Sequence, residues 1–454
     1  MKPSFFSALW SNLKSLPQTC RTGLRPGGEA APAPSQRLRR NFVYHLHALK
    51  VSERALHPLT TLGLGLITAT LFFVLVVTGV LLMIYYVPTP RAAYASMQDI
   101  QYAVAFGGFV RALHRWAAHG MVLTILLHLA RVIFTGSYRR RELNWIMGLG
   151  LGACTLGLAF TGYLLPWDQL SFWAVSVSTA MLDNLPMIGG GLKNLLLGGE
   201  IVSAATLLRF YTLHVALLPA LLLLLMAFHF WRIRKDGGLV ASSVLGEDES
   251  SLPAWPHLVL REALLVLVVL LSVCLVSVWV AAPLGIPPDF HAPGNPEKAP
   301  WYFLWVQEMV SYSSVVGGFV FPGLLLLGLL LLPFLEREDR AAGRWFGDRR
   351  CRRAIVVALS AGVVALVIFE AGFISAGGTA DPLIRDIFNP ATGMLVLAVL
   401  AFGLAGWLTG STRSAFLSGF VVMLVAVAGF TVMGLLRGPD WVFYWPWEAW
   451  PGGY

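Results

Sequence analysis

The chain is 454 residues long, 57% hydrophobic and only 13% charged, with a formal net charge of +9 at neutral pH. That balance excludes a soluble globular protein and points to an integral membrane protein. The excess of base calls for no nucleic acid, because a basic cytoplasmic face against anionic lipid accounts for it.

Taken in order, residues 1–40 are rich in Pro, Gly, Arg and Ala and read as a tail. Residues 41–57 (NFVYHLHALKVSERALH) predict an amphipathic helix on the inner surface, with His45, His47 and His57 interfacial. No early apolar region marks a cleaved signal peptide. Apolar runs of spanning length then lie near 62–86, 111–135, 145–165, 206–231, 262–282, 316–335, 354–372, 392–409 and 414–436, about nine in all. Placing the N-terminus in the cytoplasm puts most of the 33 Lys and Arg on the inner side. With no organelle-type presequence, a bacterial inner membrane is expected. The four cysteines (Cys20, Cys154, Cys274, Cys351) are scattered and form no C-x-x-C-H motif, so neither a disulfide framework nor ordinary covalent haem is expected.

The second and fourth runs carry the chemistry. His114 and His128 are fourteen residues apart, and His214 and His229 are fifteen apart. Fourteen residues of helix advance ~21 Å and fall ~40° short of four turns, while fifteen advance ~22 Å and overshoot by ~60°. Each pair therefore points roughly one way from its helix, one histidine near each end of the hydrocarbon. Packed side by side, the helices offer His114 to His214 and His128 to His229, two bis-histidine sites for haem iron. A lone histidine in an apolar helix is usually a hydrogen-bonded core residue. Four in this register are harder to explain that way, because ionisable groups in a membrane are costly.

The first run contains Gly65 and Gly79 and the third Gly148 and Gly162, both pairs with the fourteen-residue spacing of His114 and His128. Glycine there lets a backbone approach a flat macrocycle, against the alternative of ordinary small-residue packing. Arg111 and Arg131 lie about one turn from His114 and His128, suited to haem propionates or to snorkelling. His119, five residues past His114, faces ~140° away and is not expected to be a ligand.

After the third run comes Gly162-Tyr163-Leu164-Leu165-Pro166-Trp167-Asp168-Gln169, then Trp173, and much later Pro300-Trp301-Tyr302. With the two histidine pairs, these motifs resemble cytochrome b of the cytochrome bc complexes over roughly residues 57–372. The resemblance implies two non-covalent haems b and a quinol-oxidising site on the outer face. One wall of that site would be Tyr163, Pro166, Trp173 and the stretch to Pro186, and the other Pro300, Trp301 and Tyr302. It also implies a quinone-reducing site on the inner face, for which Arg234, Arg261 and Glu262 are the candidates. The partners implied are a Rieske iron–sulfur protein, a c-type cytochrome, the quinone pool and a second copy of the complex.

The fifteen-residue histidine spacing, Arg209 and the Arg232-Ile233-Arg234-Lys235 run are closer to the chloroplast-type branch. That branch holds an extra haem through a cysteine where this chain has Gly63, so that haem is not expected here. A second departure is Ala299-Pro300-Trp301-Tyr302 where the family has Pro-Glu-Trp-Tyr. The missing carboxylate leaves Glu297, Asp289, His291 and Glu308 as substitutes, among which the sequence does not choose.

The fold expected is all-α, a polytopic membrane bundle of about nine transmembrane helices with a dihaem four-helix core. Its parts are a tail and surface helix (1–60), a dihaem four-helix domain (61–240), a second domain with the Pro-Trp-Tyr loop (241–373) and a two-helix extension with an aromatic tail (374–454). The extension aligns with nothing in the family and is expected to pack against a partner subunit, with the tail as an interfacial belt or a carrier-docking patch. Two other functions fit the histidines less fully: a dihaem membrane anchor of a dehydrogenase, and a haem-free transporter or scaffold.

Overall fold

The computed structural model describes residues 50–236, 238, 250–336, 338, 345–375, 387–445, 447 and 448. Among them nine helices are long and apolar enough to cross a membrane. They are α1 (Leu64–Met83), α2 (Gly107–Thr135), α3 (Glu142–Leu164), α4 (Ala204–Lys235), α5 (Ala254–Trp279), α6 (Val316–Leu335), α7 (Arg349–Ile374), α8 (Pro390–Thr409) and α9 (Thr412–Leu436). We call the end of the bundle where α1 begins the near end and the opposite one the far end.

The expected tail lies outside the described residues, as does most of the predicted surface helix. What is described of that helix differs from the expectation. Lys50–Ser52 forms a strand paired antiparallel with Ser251–Pro253, and only the single turn Glu53–Leu56 is helical. The β-branched Val51 pairs with Leu252, and both pack on the buried Leu56, Ala254 and Leu258, which favours the local ladder over a helix.

Helices α1 to α4 form one body. Its centre is Leu71, Phe72, Ala117, Met121, Leu222 and Met226, with Cys154. Along α2 and α4 these residues fall between the two histidine levels, so an apolar layer separates the far rings from the near ones. Short helices at Ala93–Tyr102, Gln169–Ala180 and Gly189–Leu197 close the far end over Tyr86, Trp167, Phe172 and Phe210.

Two of the helices contain a widened turn. Residues Leu213–Leu217 of α4 and Val316–Val320 of α6 are π-helical, and the N–H groups of Leu218 and Phe321 reach back five residues to Leu213 and Val316. Both are followed by a proline, Pro219 and Pro322. A proline ring clashes with the carbonyl four residues earlier and has no N–H to offer it, so the turn ahead of it opens by one residue.

The sequence reading expects the extension to pack against a partner subunit, and the structure shows one face of it packed within this chain. Met394, Val422, Ala426 and Phe430 of α8 and α9 share a buried core with Met309, Tyr312, Phe321 and Ala358 of this same chain. Among the nine, α9 is the most buried within this chain and α5 the least.

Candidate haem and quinol sites

The histidines meet across the bundle as the spacing predicts at the far level. The rings of His114 and His214 stand with centroids 6.2 Å apart. An imidazole nitrogen binds a transition metal at ~2 Å, so two such bonds plus the ring radii span ~6 Å. His128 and His229 are electrostatic neighbours at the near level. Their fifteen-to-fourteen mismatch disappears because the π turn at His214 absorbs one residue. A straight α4 would turn His214 away from His229 by ~100° more than α2 turns its own pair.

The hydrogen bonds at the outer edge of each ring decide what the inner edge can do. His214 Nδ1 is 3.0 Å from the Leu158 carbonyl and 3.3 Å from Thr161 Oγ1. His229 Nδ1 is 3.3 Å from the Asn144 carbonyl. A carbonyl only accepts, so both Nδ1 atoms carry the hydrogen. His114 Nδ1 is 2.9 Å from Thr78 Oγ1, whose own hydrogen goes to the Val74 carbonyl at 2.7 Å, so the threonine accepts as well. In three of the four rings the Nε2 lone pair is thereby left for a metal, in the tautomer that a ligating histidine needs. His128 Nδ1 is buried with no partner. Among the described residues no group of three or more His, Cys, Asp or Glu forms, so the bundle offers donors in pairs. These pairs fit bis-histidine haem.

The glycines serve those rings directly. A Cβ added at Gly65, Gly79 or Gly148 would sit 3.5, 3.4 or 3.5 Å from Cε1 of His128, His114 or His229. At Gly162 it would lie 2.4 Å from Cε1 of His214. The expectation placed these glycines against a macrocycle. Here each one faces an imidazole edge, and the shared period arises because α1 serves the histidines of α2 and α3 those of α4.

The two arginines suited by sequence to propionates or to snorkelling both donate to fixed acceptors of this chain. Arg111 donates to the carbonyls of Ala282 and Pro283 at 2.9 and 2.5 Å and to Gln101 Oε1 at 2.6 Å. Arg131 donates through Nε and Nη2 to the Thr60 carbonyl. Both are buried, and burial of a guanidinium is tolerated where fixed acceptors receive it. Their described role is to tie α2 to the loops at its two ends.

At the far end the two expected walls are laced together. Asp168 caps the helix Gln169–Ala180 through Ser171 and takes the Gly285 N–H at 2.9 Å. Gln169 takes the Asp289 N–H at 2.6 Å and donates to the Ala292 carbonyl at 2.8 Å, and Trp173 donates to the Asp289 carbonyl at 2.8 Å. Tyr163, Pro166, Trp173, Pro300, Trp301 and Tyr302 are all half-buried, as residues lining a recess would be. Tyr163 and Tyr302, one from each wall, interact electrostatically. Burial pushes the Tyr302 phenol up to about 12, so it remains a hydrogen-bond donor at working pH.

His119, excluded as a ligand, joins this site instead. Trp301 Nε1 donates to His119 Nδ1 at 3.1 Å, and the Tyr302 ring lies 5.8 Å away. The ~140° offset that turns it from the haem axis turns it towards the Pro-Trp-Tyr segment, which only the fold brings alongside.

Of the four groups that could replace the missing carboxylate, three are engaged or peripheral. Glu308 is fully buried and bound by Arg437, Tyr312 and Trp441. Asp289 and His291 are exposed on the loop and bonded to each other, the His291 N–H to Asp289 Oδ1 at 2.8 Å. Glu297 is half-buried between the walls, with the Gly294 N–H on one side and the Gln169 side chain on the other. Burial raises its pKa, and the nearby Asp168 carboxylate adds to the rise.

At the near end Arg261 is exposed and donates to the Leu56 carbonyl at 2.6 Å, and Arg234 is exposed as well. The buried charges there are others. Arg232 pairs with Asp236 at 2.7 Å, and Arg141 donates to the Asp236 and Gly238 carbonyls. Burial raises the Asp236 carboxyl above its usual range, while the two arginines hold it down. The i,i+4 spacing of Arg232 and Asp236 was a usable signal in the sequence. Arg141 was not, because only the return of α4 brings it to them.

A family model described as Cytochrome b/b6/petB matches residues 53–237. Cytochrome b6 of Heliobacterium mobile is 47% identical over 175 residues, which are 38% of this chain and 82% of that protein. Cytochrome b6 of Chlamydomonas reinhardtii is also 47% identical, over 38% of this chain and 81% of its own. A chain of a solved structure titled "Hyperthermophilic respiratory Complex III" superposes with a TM-score of 0.64 at 23% identity, covering 87% of this chain and 98% of its own length. That coverage exceeds what residues 1–373 amount to, so the shared fold reaches into the extension that the sequence could not align.

Proposed function

The chain belongs to the cytochrome b/b6 family, and from that premise we propose that it is the cytochrome b subunit of a quinol:cytochrome c oxidoreductase. The observation that carries the reading is the set of three histidines whose Nδ1 hydrogens are fixed outward, leaving Nε2 for iron between α2 and α4. His114 and His214 would hold one haem b, and His128 and His229 the other. When bound, these haems supply a path for single electrons between the two ends of the bundle.

The chain's own residues bind the quinol and move its protons. Trp173 and Tyr163 on one wall and Trp301 and Tyr302 on the other enclose the ring at the far end, which is the outer face in this reading. Two protons must leave for each quinol oxidised. Glu297, raised by burial and held between the walls, takes one of them, as a general base with a pKa moved towards neutrality does. The other leaves with the electron that passes to a Rieske iron–sulfur partner and on to a c-type cytochrome. At the near end, Asp236 with Arg232 and Arg141 would deliver protons to a quinone, with Arg234, Arg261 and Glu262 as the other charged candidates at that end. The protein then sits in a bacterial inner membrane with its N-terminus in the cytoplasm, as part of a homodimeric complex drawing on the quinone pool.

A reduced-minus-oxidised spectrum with haem quantification tests this. Two b-type haems per chain are expected, with His128→Ala and His229→Ala each removing the same one. A colourless protein would return the transporter or scaffold reading. Two haems with no response to inhibitors of Rieske-linked quinol oxidation would favour the dehydrogenase anchor.

A further inference from the structure

The far-end segment that carries Pro300, Trp301 and Tyr302 is held from behind by the last residues of α9 and the tail that follows. On its N-terminal side, Asn295 and Asp440 exchange two hydrogen bonds of 2.6 Å, and Lys298 Nζ donates to the Leu435 carbonyl at 2.8 Å. On its C-terminal side, Arg437 Nη2 and Nε donate to Glu308 Oε1 at 2.5 and 2.9 Å. Trp441 Nε1 donates to Glu308 Oε2 at 3.0 Å. Tyr312, one turn further on, bridges Glu308 at 2.5 Å and Glu370 of α7 at 2.8 Å.

The backbones are as close as the side chains. A Cβ at Gly434 would lie 2.7 Å from Leu304 Cγ, so glycine lets α9 rest on the helix Trp301–Tyr312. After Arg437 the tail turns back on itself, with the Gly438 N–H on the Val442 carbonyl at 2.7 Å and the Tyr444 N–H on the Leu436 carbonyl at 2.9 Å. That turn presents Asp440 and Trp441 to the same segment. The wall is thus fastened on both sides of Pro300–Tyr302 by residues within 434–441, and a forked guanidinium on a fully buried carboxylate is the strongest of the fastenings.

We propose that residues 434–441 are a built-in clamp that sets the position of the Pro300–Tyr302 wall, with Arg437 as its positioning residue. The clamp gives the end of α9 and the turn after it a role at the far end, beyond their packing in the shared core. Its effect on quinol rests on the function proposed above, and its mechanical part does not. Arg437 touches no substrate. It acts through Glu308, which stands two turns along the helix from Trp301 and Tyr302.

The test uses the full chain in its native membranes. Arg437→Gln alone would leave the Glu308 charge buried and unpaired, so the deciding variant is the double substitution Glu308→Gln with Arg437→Gln. Two measurements are made: steady-state kinetics with duroquinol as the probe, and hydrogen exchange of the peptides spanning 294–312. In the double variant the duroquinol KM rises about tenfold while kcat falls no more than about threefold. Amides at the start of the helix Trp301–Tyr312 exchange about tenfold faster. The haem spectrum is unchanged, because the histidine pairs lie in the other half of the molecule. Arg437→Lys, which keeps the charge and loses the fork, falls between wild type and the double variant. Unchanged KM and unchanged exchange in the double variant would overturn the clamp, and so would loss of both haems, which would mark a general packing role. A wild-type complex inert towards duroquinol would instead count against the proposed function, and the exchange data would still judge the clamp.

Discussion

The two histidine levels look alike in the sequence and differ in how they are held. At the far level both rings have an Nδ1 acceptor, Thr78 for His114, and the Leu158 carbonyl with Thr161 for His214. A π turn sets His214, and Gly162 packs under it more closely than any other glycine packs under a histidine. At the near level His229 has one long bond to the Asn144 carbonyl, and His128 Nδ1 has none. The far site is tightly built and intolerant, while the near site has slack. Ring orientation and basicity follow those outer bonds, so under the proposed function two chemically identical histidine pairs would bind haem with different affinities.

The largest effect that would break this comparison is loss of a ligand. His214→Ala is expected to remove one of two haems and leave the near one in place, read as half the haem content per chain. If both haems disappear, the levels are not independent.

Next is the glycine contrast. Gly162→Ala puts a methyl group 2.4 Å from His214 Cε1 and forces the ring or α3 to move, which costs ~1–3 kcal/mol and depletes the far haem. Gly148→Ala, at 3.5 Å from His229, is ordinary contact and should leave both haems in place. Haem occupancy and thermal stability of the two variants check this, and equal effects would erase the difference in tightness.

The hydroxyl at Thr78 gives a smaller effect. Thr78→Val removes one acceptor from His114 Nδ1 and leaves it the Leu75 carbonyl alone, at ~0.5–1.5 kcal/mol for the lost hydrogen bond. The far haem should then bind ~10–100-fold more weakly, measured by competition with apo-myoglobin. No matching substitution exists for His128, whose Nδ1 has no acceptor to lose.

The smallest effect concerns pH. The Glu297 carboxyl is raised by burial, so it is deprotonated and able to accept a proton only above a pH higher than the usual carboxylate range. Quinol oxidation should rise with pH through that range and flatten above it. Glu297→Gln should lower the rate and remove the rising limb. An unchanged profile would assign the proton to another group.

Much of this site was legible before the fold was known. The far-end motifs are legible only through the resemblance to cytochrome b, whereas the register of His114 with His128 and the fourteen-residue repeat of Gly65 with Gly79 and of Gly148 with Gly162 follow from helical periodicity and the cost of charge in hydrocarbon. Those are local properties, fixed by residue type and spacing along a single helix. What a glycine faces is another matter. The spacing of Gly162 suggests room for a macrocycle, and in the fold it faces the edge of His214. Arg111 and Arg131 suit haem propionates or snorkelling by their place in the sequence, and in the fold they bind carbonyls of distant segments.

The sequence by itself therefore determined the membrane class, the spans and the register of the four histidines, because each depends on pattern within one segment. Only the tertiary structure decided three things. Pro219 makes a π turn that brings a fifteen-residue spacing into step with a fourteen-residue one. Glu297, and not Glu308, stands between the walls, because Arg437 arrives from more than a hundred residues away to occupy Glu308. The C-terminal helices turn inward to hold the Pro300–Tyr302 segment. Each of these is a contact between segments that the chain keeps far apart, and no periodicity within either segment encodes the other's position.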